Sequence, residues 1–217
     1  MTGAQSANDR SWDIHAAVPA DADALGRLHV RCWHETYDDL VPAALLARFS
    51  VDRSREVWSR ILGEPAAHAA AAVYLLRARA ATDATQPSAA DRSAAELWGF
   101  GSCCAQRSPD LAARGFDAEI SALYLLRSRQ RHGLGGMLLR SLVGDLIARK
   151  FQALSLWVLE ANAPARAFYE RCGGIVVAEK QDVREDGTLL ETAYGWPSLD
   201  VLRDHLGAPR GAGKTSA

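Results

Sequence analysis

The sequence predicts one α/β domain built on a mixed β-sheet, and three observations carry that prediction. Strand-like and helix-like segments follow the order β, helices, β, β, β, α, β, α, β, β, alternating only in the middle, so a parallel stretch around Glu119–Leu159 should sit in an otherwise antiparallel sheet. The 217 residues suit one domain with appendages. With 48% apolar and 24% charged residues, the composition is near the globular average, which disfavours disorder and fibrous architectures.

The elements follow in order. The first eleven residues, Met1–Ser11, are small and polar without periodicity, and a loose N-terminal arm is expected. Trp12–Val18 reads as a strand closed by Pro19, with Asp21 placed to cap the next helix. From Leu25 to Tyr37 the residues Leu25, Leu28, Cys32 and Trp33 recur at helical spacing. A second helix is expected after Pro42 and a third around Val57, Trp58, Ile61 and Leu62, stopped by Gly63 and Pro65. Ala70–Ala78 is strand-like, and the connection 79–94, rich in Ala, Ser and Thr, carries no core pattern, so a mobile hairpin connection is expected there. Strands are expected at Glu96–Gln106 and Glu119–Leu126, broken by Ser108–Gly115. Leu134, Leu138, Leu142 and Leu146 define a helix from Gly133 to Lys150. Ala153–Leu159 is a buried-type strand, and Asn162 caps a helix whose face is Ala165, Phe168, Tyr169 and Cys172 and which Gly173-Gly174 ends. Ile175–Val183 and Leu189–Trp196 read as a terminal β-hairpin around an Asp186-Gly187 turn. The domain should span 12–197, with a short helix after Pro197 inside a C-terminal tail, 198–217.

Charge and cysteine usage exclude several classes. Twenty-five Lys+Arg against 26 Asp+Glu leave a net charge of −1, so no field draws the whole molecule onto nucleic acid or an anionic membrane. The four cysteines form no CxxC pair and are expected as reduced thiols. No secretory signal and no apolar run of spanning length is present, and a cytoplasmic location is the expectation.

The chemistry concentrates in Gln130-Arg131-His132-Gly133-Leu134-Gly135-Gly136, which links a strand to a long helix. Such a turn gathers free backbone N–H groups and the positive end of a helix at one point, and its glycines admit phosphate oxygens close to the main chain. Arg127, Arg129, Arg131 and His132 add side-chain donors, so a phosphate or pyrophosphate site is expected; a glycine-rich turn with a solvated basic rim is the plainer alternative. The spacing is not the dinucleotide fingerprint, and Gly211-Ala212-Gly213-Lys214-Thr215 is not a Walker A loop, because the glycine required earlier is Ala208. His34 with its neighbouring carboxylates lacks metal-ligand spacing, so no metal is expected.

Two motifs carry a family resemblance. QRHGLGGMLL after ISALYLL resembles the Q/R-x-x-G-x-G/A motif of the GCN5-related N-acetyltransferase (GNAT) family, and WVLEANAPARAFYERCGG is similar to that family's following strand and helix. The resemblance runs from Ile14 to Trp196 and implies a seven-stranded, mostly antiparallel sheet flanked by helices and splayed between its fourth and fifth strands, with acetyl-CoA in the gap. Carried over by position, the pantetheine arm should pair with the backbone of Leu123, Tyr124 and Leu125. The pyrophosphate should sit on Gln130, Arg131, His132, Gly133, Leu134, Gly135 and Gly136, and Asn162 should contact the coenzyme arm, though capping its helix is sufficient reason for an asparagine there. Tyr169 falls at the family tyrosine that protonates the departing thiolate, a role suited to a phenol of reference pKa about 10; packing on the helix's apolar face is the alternative.

Glu119 stands where relatives often carry the general base, and alternation would put it on the face of Ser121, Leu123 and Leu125; an ordinary strand-edge carboxylate is the equal alternative. Ribosomal-protein N-terminal acetyltransferases of the family carry a glutamate five residues before the asparagine, where this chain has Trp157, which argues against their peptide substrate. Trp33 and Tyr37, in RCWHETYDDLVP, resemble the family's acceptor-side pattern, and Glu35, Asp38 and Asp39 either attract a cationic amine or form a solvated helix end. The resemblance implies acetyl transfer to a primary amine of a small molecule or peptide, by direct attack in a ternary complex. The alternatives are a longer acyl-CoA or a non-catalytic acyl-CoA sensor. No nucleic-acid or membrane partner is expected, and six tryptophans with the terminal hairpin leave room for a homodimer.

Overall fold

Residues 12–79, 96–184 and 187–207 are described by the structure, a computed structural model. The expected arm 1–11, nearly all of the connection 79–94, Asp186 of the hairpin turn and the 211–215 segment lie outside them. The elements are β1 (Trp12–Ala16), α1 (Ala22–Tyr37), α2 (Ala43–Ala47), α3 (Val51–Gly63), β2 (Ala72–Ala78), β3 (Leu97–Ala105), α4 (Pro109–Ala113), β4 (Ala118–Leu125), α5 (Leu134–Ala148), β5 (Leu154–Leu159), α6 (Ala163–Arg171), β6 (Ile175–Arg184), β7 (Gly187–Trp196) and α7 (Leu199–Gly207). The strands form one seven-stranded sheet in the order β1-β2-β3-β4-β5-β7-β6, antiparallel throughout except for the parallel β4–β5 pair.

The two faces of the sheet are covered by different helices. On one, α5 packs Leu139, Leu142, Val143 and Leu146 against Ile120, Leu154, Leu156 and Tyr194, joined by Tyr169 of α6 and by Leu199 and Leu202 of α7. On the other, α1 packs Leu25, Leu28 and Cys32, and α3 packs Trp58, against Val73, Leu75, Phe100 and Ala122. The hydrophobic periodicity of α1 and α5 is therefore spent on opposite sides of the sheet. Burial holds three thiols protonated, pushing Cys32 and Cys103 up to about 12 and Cys104 up to about 11.

Three local readings change. The segment expected as a plain break contains α4, whose Leu111 is fully buried. Ser108-Pro109 at its start is a helix-entry signature. The packed unit runs on to α7, past residue 197, because Leu199 and Leu202 belong to the core. Gly187, expected in the turn, is itself paired with Arg184 in the hairpin ladder.

One irregularity positions the site. Along β3–β4, Ser102 pairs with Ala122 but Cys103 pairs with Ile120, so Ser121 is an extra residue, a β-bulge. Pairing with β5 covers only Ala118↔Leu154 and Glu119↔Ser155, after which β4 and β5 diverge. Beyond the bulge Leu123, Tyr124 and Leu125 are paired with β3 alone.

Candidate active site

The gap between β4 and β5 is where the expected cofactor residues meet. After β4 the chain makes a 3-10 turn at Arg127–Arg129, and Gly133, at φ 80°, forms the N-cap of α5 in a left-handed conformation open to glycine without strain. Gly136 and Met137 donate to the Gly133 carbonyl, at 3.1 and 3.3 Å. The N–H groups of Arg131, His132, Gly133, Leu134 and Gly135 find no backbone carbonyl acceptor among the described residues. They converge at the positive end of α5, the arrangement that suits an anion. Gly135 packs closely against β4 and α6: a Cβ added to it would lie 3.4 Å from both Leu125 Cδ1 and Phe168 Cε2.

The basic cluster expected at this turn is only partly available to a ligand. The backbone N–H of Arg127 donates to Glu35 Oε2 at 2.6 Å and its guanidinium to the Glu35 carbonyl, while the guanidinium of Arg129 lies 3.9 Å from the centre of the Trp98 ring. Gln130 donates to the Leu125 carbonyl at 3.2 Å. Arg131 and His132 are exposed. Glu35, considered from sequence as an attraction for an amine, instead ties α1 to the turn; Asp38 pairs with His34 at 2.9 Å.

Tyr169 faces the gap from α6, on the α5 side of the sheet. It is buried among Phe168, Tyr194 and Trp196, and its hydroxyl has no hydrogen-bond partner among the described residues. Burial, and secondarily the Tyr37 phenol, push its pKa well above the ordinary phenol value, so it is held as the neutral acid. Tyr194, the neighbouring tyrosine, is committed: it donates to Glu170 at 2.6 Å and accepts from Arg166 at 3.3 Å. Asn162 caps α6, its side chain accepting from Ala165 N at 3.2 Å, which is the structural alternative weighed for it from sequence.

Tyr37 approaches from the α1 side, its hydroxyl 3.3 Å from that of Tyr124. Burial raises both phenols, Tyr124 most. Tyr37 and Tyr169 thus come from opposite faces of the sheet, beside the stretch where β4 and β5 have parted. Trp33 stacks on Phe49 at 4.5 Å and touches Tyr37 at 4.8 Å. With His29, Leu45, Phe49 and Val57 it lines a cavity of about 360 Å³ between α1, α2 and α3, beside the gap rather than in it.

Glu119 is not on the face that simple alternation assigns. The Ser121 bulge reverses the pattern, so Glu119, opposite Cys104, shares the α1 face with Ala122 and Tyr124, while Leu123 points to the α5 side with Ile120. Its buried carboxylate accepts from Arg107 three times: from the backbone N–H at 3.3 Å, from Nε at 3.4 Å, and from the terminal guanidinium nitrogen.

Sequence reasoning passed over a second carboxylate on that face. Glu191 of β7 stands opposite Leu159 of β5 and Lys180 of β6, and its Oε2 is 2.9 Å from Lys180 Nζ, which lies 4.2 Å from the centre of the Trp157 ring. Only the hairpin register, which a one-residue slip would have reversed, could have revealed it. Among the described residues no group of three or more His, Cys, Asp or Glu side chains could hold a metal ion, and no helix is long and apolar enough to cross a membrane.

Comparison with known proteins decides the family. The profile described as the acetyltransferase (GNAT) family matches residues 23–174. The chain belongs to that family. Among curated relatives it is 28% identical over 194 residues to the uncharacterized N-acetyltransferase YuaI of Bacillus subtilis, covering 89% of this chain and 97% of that one. Among solved structures it is similar in fold to the PaiA N-acetyltransferase of Thermoplasma acidophilum in complex with coenzyme A, with TM-score 0.60, 16% identity, and 84% and 98% of the two chains covered. Arabidopsis thaliana NAA60 in complex with acetyl-CoA gives TM-score 0.58 and 14% identity, covering 85% of this GNAT chain and 97% of that one.

Proposed function

We propose that this GNAT protein transfers the acetyl group of acetyl-CoA to a primary amine, by direct attack within a ternary complex. The observation that carries the reading is the coincidence, at one gap, of main-chain N–H groups and a tyrosine hydroxyl that have no hydrogen-bond partner among the described residues. The turn Gln130–Gly136 fits a pyrophosphate: the N–H groups of Arg131 to Gly135 have no backbone acceptor among the described residues, its N-cap is a left-handed glycine, and Arg131 and His132 are exposed beside it. The one-sided backbone of Leu123, Tyr124 and Leu125 fits the amide-bearing pantetheine arm, less the Leu125 carbonyl that Gln130 already occupies. Asn162, at the rim, holds α6 and meets the arm. When bound, acetyl-CoA supplies an electrophilic thioester carbon.

This chain's own residues then orient and move protons. Holding the two reactants in the gap supplies proximity, and main-chain N–H groups of β4 turned toward the gap polarise the thioester carbonyl. Tyr169 gives its phenolic proton to the sulfur as the carbon–sulfur bond breaks, while the amine, which attacks in its neutral form, sheds its surplus proton to water as the amide forms and the tyrosinate regains a proton from water. A raised pKa keeps that proton available at neutral pH. Glu119, saturated by Arg107, orders the floor of the α1 face rather than taking the amine's proton. Trp33 and Tyr37 wall the acceptor side.

The test is a library of primary amines incubated with acetyl-CoA, read by thiol release, with propionyl- and succinyl-CoA run alongside. Acetyl-CoA with at least one amine should release thiol in saturable fashion. Coenzyme binding without thiol release for any amine would replace the reading with that of a sensor protein.

A further inference from the structure

The cavity between α1, α2 and α3 lies beside the gap, and its lining is chemically one-sided. Trp33, Leu45, Phe49 and Val57 make its apolar walls, the Trp33 and Phe49 rings stacked at an interplanar angle of 17°. His29 closes the inner end: its ring meets Phe100 at 5.1 Å, and its Nδ1 accepts from Trp58 Nε1 at 3.0 Å. The charged residues of the lining are Arg48 and Arg53, both exposed and therefore at the mouth, and no aspartate or glutamate joins them. Among the described residues the Arg53 guanidinium has no ion-pair partner. Asp52, the neighbouring acid on α3, is taken by Arg55 at 2.8 Å, and Glu56 stands with Arg55, Ser59 and Arg60 rather than at the cavity.

This lining selects a chemistry. A volume of about 360 Å³ falls in the range of small-molecule pockets and is too short for a long alkyl chain. Walls carrying an indole and a phenyl ring favour an aromatic body. A mouth with two guanidinium groups and no carboxylate favours an anion and repels an alkylammonium, so a cationic amine does not dock here. We infer that the cavity is a second small-molecule site, separate from the gap, and that its ligand is an arylalkyl carboxylate. The ring lies between Trp33, Phe49 and Val57, and the carboxylate meets Arg53 at the mouth, with Arg48 adding charge beside it. Trp33 also touches the Tyr37 ring at 4.8 Å, so an occupant braces that wall from behind. The inference does not depend on the acetyl-transfer reading.

The test is titration calorimetry of the full chain, with and without acetyl-CoA, using three probes of one shape: 3-phenylpropionate, 3-phenylpropanol and 3-phenylpropylamine. The acid should bind one-to-one with a Kd of about 1 mM or tighter, unchanged by acetyl-CoA. The alcohol should bind about fivefold more weakly, and the amine more weakly still. Arg53→Gln, at an exposed helix position, should cut the preference for acid over alcohol about threefold while leaving the alcohol's Kd within about twofold. Val57→Phe, which fills the space, should abolish binding of both. Equal binding of acid and alcohol would reduce the site to an apolar void and overturn the inference. So would tightest binding of the amine, binding of none of the three, or an unaltered preference in Arg53→Gln. Loss of acid binding on adding acetyl-CoA, or full binding in Val57→Phe, would place the acid outside this cavity and overturn it too. Should Val57→Phe fold poorly, the Arg53→Gln comparison decides alone. A chain that binds the acid but acetylates no amine keeps this inference and overturns only the proposed activity.

Discussion

The two halves of β4 have the same strand geometry and opposite uses. From Ala118 to Ile120 the strand is flanked by β3 and, through Ala118 and Glu119, by β5, and its one charged side chain is closed off by Arg107. From Ala122 to Leu125, past the Ser121 bulge, it is paired with β3 alone, and Tyr124, Tyr37 and Tyr169 gather beside the missing pairing. The first half is architecture because its polar groups are already satisfied. The second can bind because main-chain groups left without a strand partner must find another. A single inserted residue marks the boundary between them.

The largest effect should come from the open half. Tyr169→Phe should lower kcat about a hundredfold or more with little change in acetyl-CoA affinity. A wild-type kcat would remove the acid role and leave Tyr169 as packing.

Behind the open half, His29 ties the α1 wall together. Its Nδ1 accepts from Trp58 Nε1 at 3.0 Å, so its proton sits on Nε2, and its ring meets Phe100 and Tyr124 at 5.1 and 5.4 Å. Burial lowers its pKa from 6.5 to about 4. The unfolded chain therefore binds a proton that the folded chain refuses between those values. Stability is fully present above pH 6.5 and falls as pH drops toward 4, by on the order of 3 kcal/mol. Urea titrations at pH 7 and pH 5 should show the loss in the wild type and a flatter profile in His29→Gln; identical slopes would contradict it.

In the closed half, Glu119→Gln should cost about 2 kcal/mol of stability, because Arg107 loses a charged acceptor, yet keep the acidic limb of the pH–rate profile. Loss of that limb would return Glu119 to the role of base and erase the contrast between the halves. At the rim, Asn162→Ala should cost about 1 kcal/mol through the lost cap, and Asn162→Asp should recover it. Recovered stability without recovered acetyl-CoA affinity would separate the cap from a cofactor contact.

Much of this was legible in the chain. Regular periodicity located α1, α3 and α5, and Asn162 with Pro164 marked the entry to α6, because those signals are local. The glycine turn was legible as a helix entry, and Tyr169 as a member of the apolar face of α6, because helix geometry fixes both from local spacing. The face of Glu119 was not, since a bulge leaves no mark in hydrophobic alternation where Ser121 is simply one more small residue. Arg107 and Glu191 were hidden for a related reason: one meets Glu119 across a strand connection and the other meets Lys180 and Trp157 through three-strand register, which only the folded sheet creates. α4 was missed because five residues are too few for a period.

Amide hydrogen exchange with and without acetyl-CoA tests the contrast most directly. Binding should slow exchange at Arg131–Gly136 and at Leu123–Leu125, while Ala118–Ile120 exchange as slowly in its absence as in its presence. Equal protection of both halves of β4, or none at Arg131–Gly136, would contradict the assignment of the gap as the cofactor site.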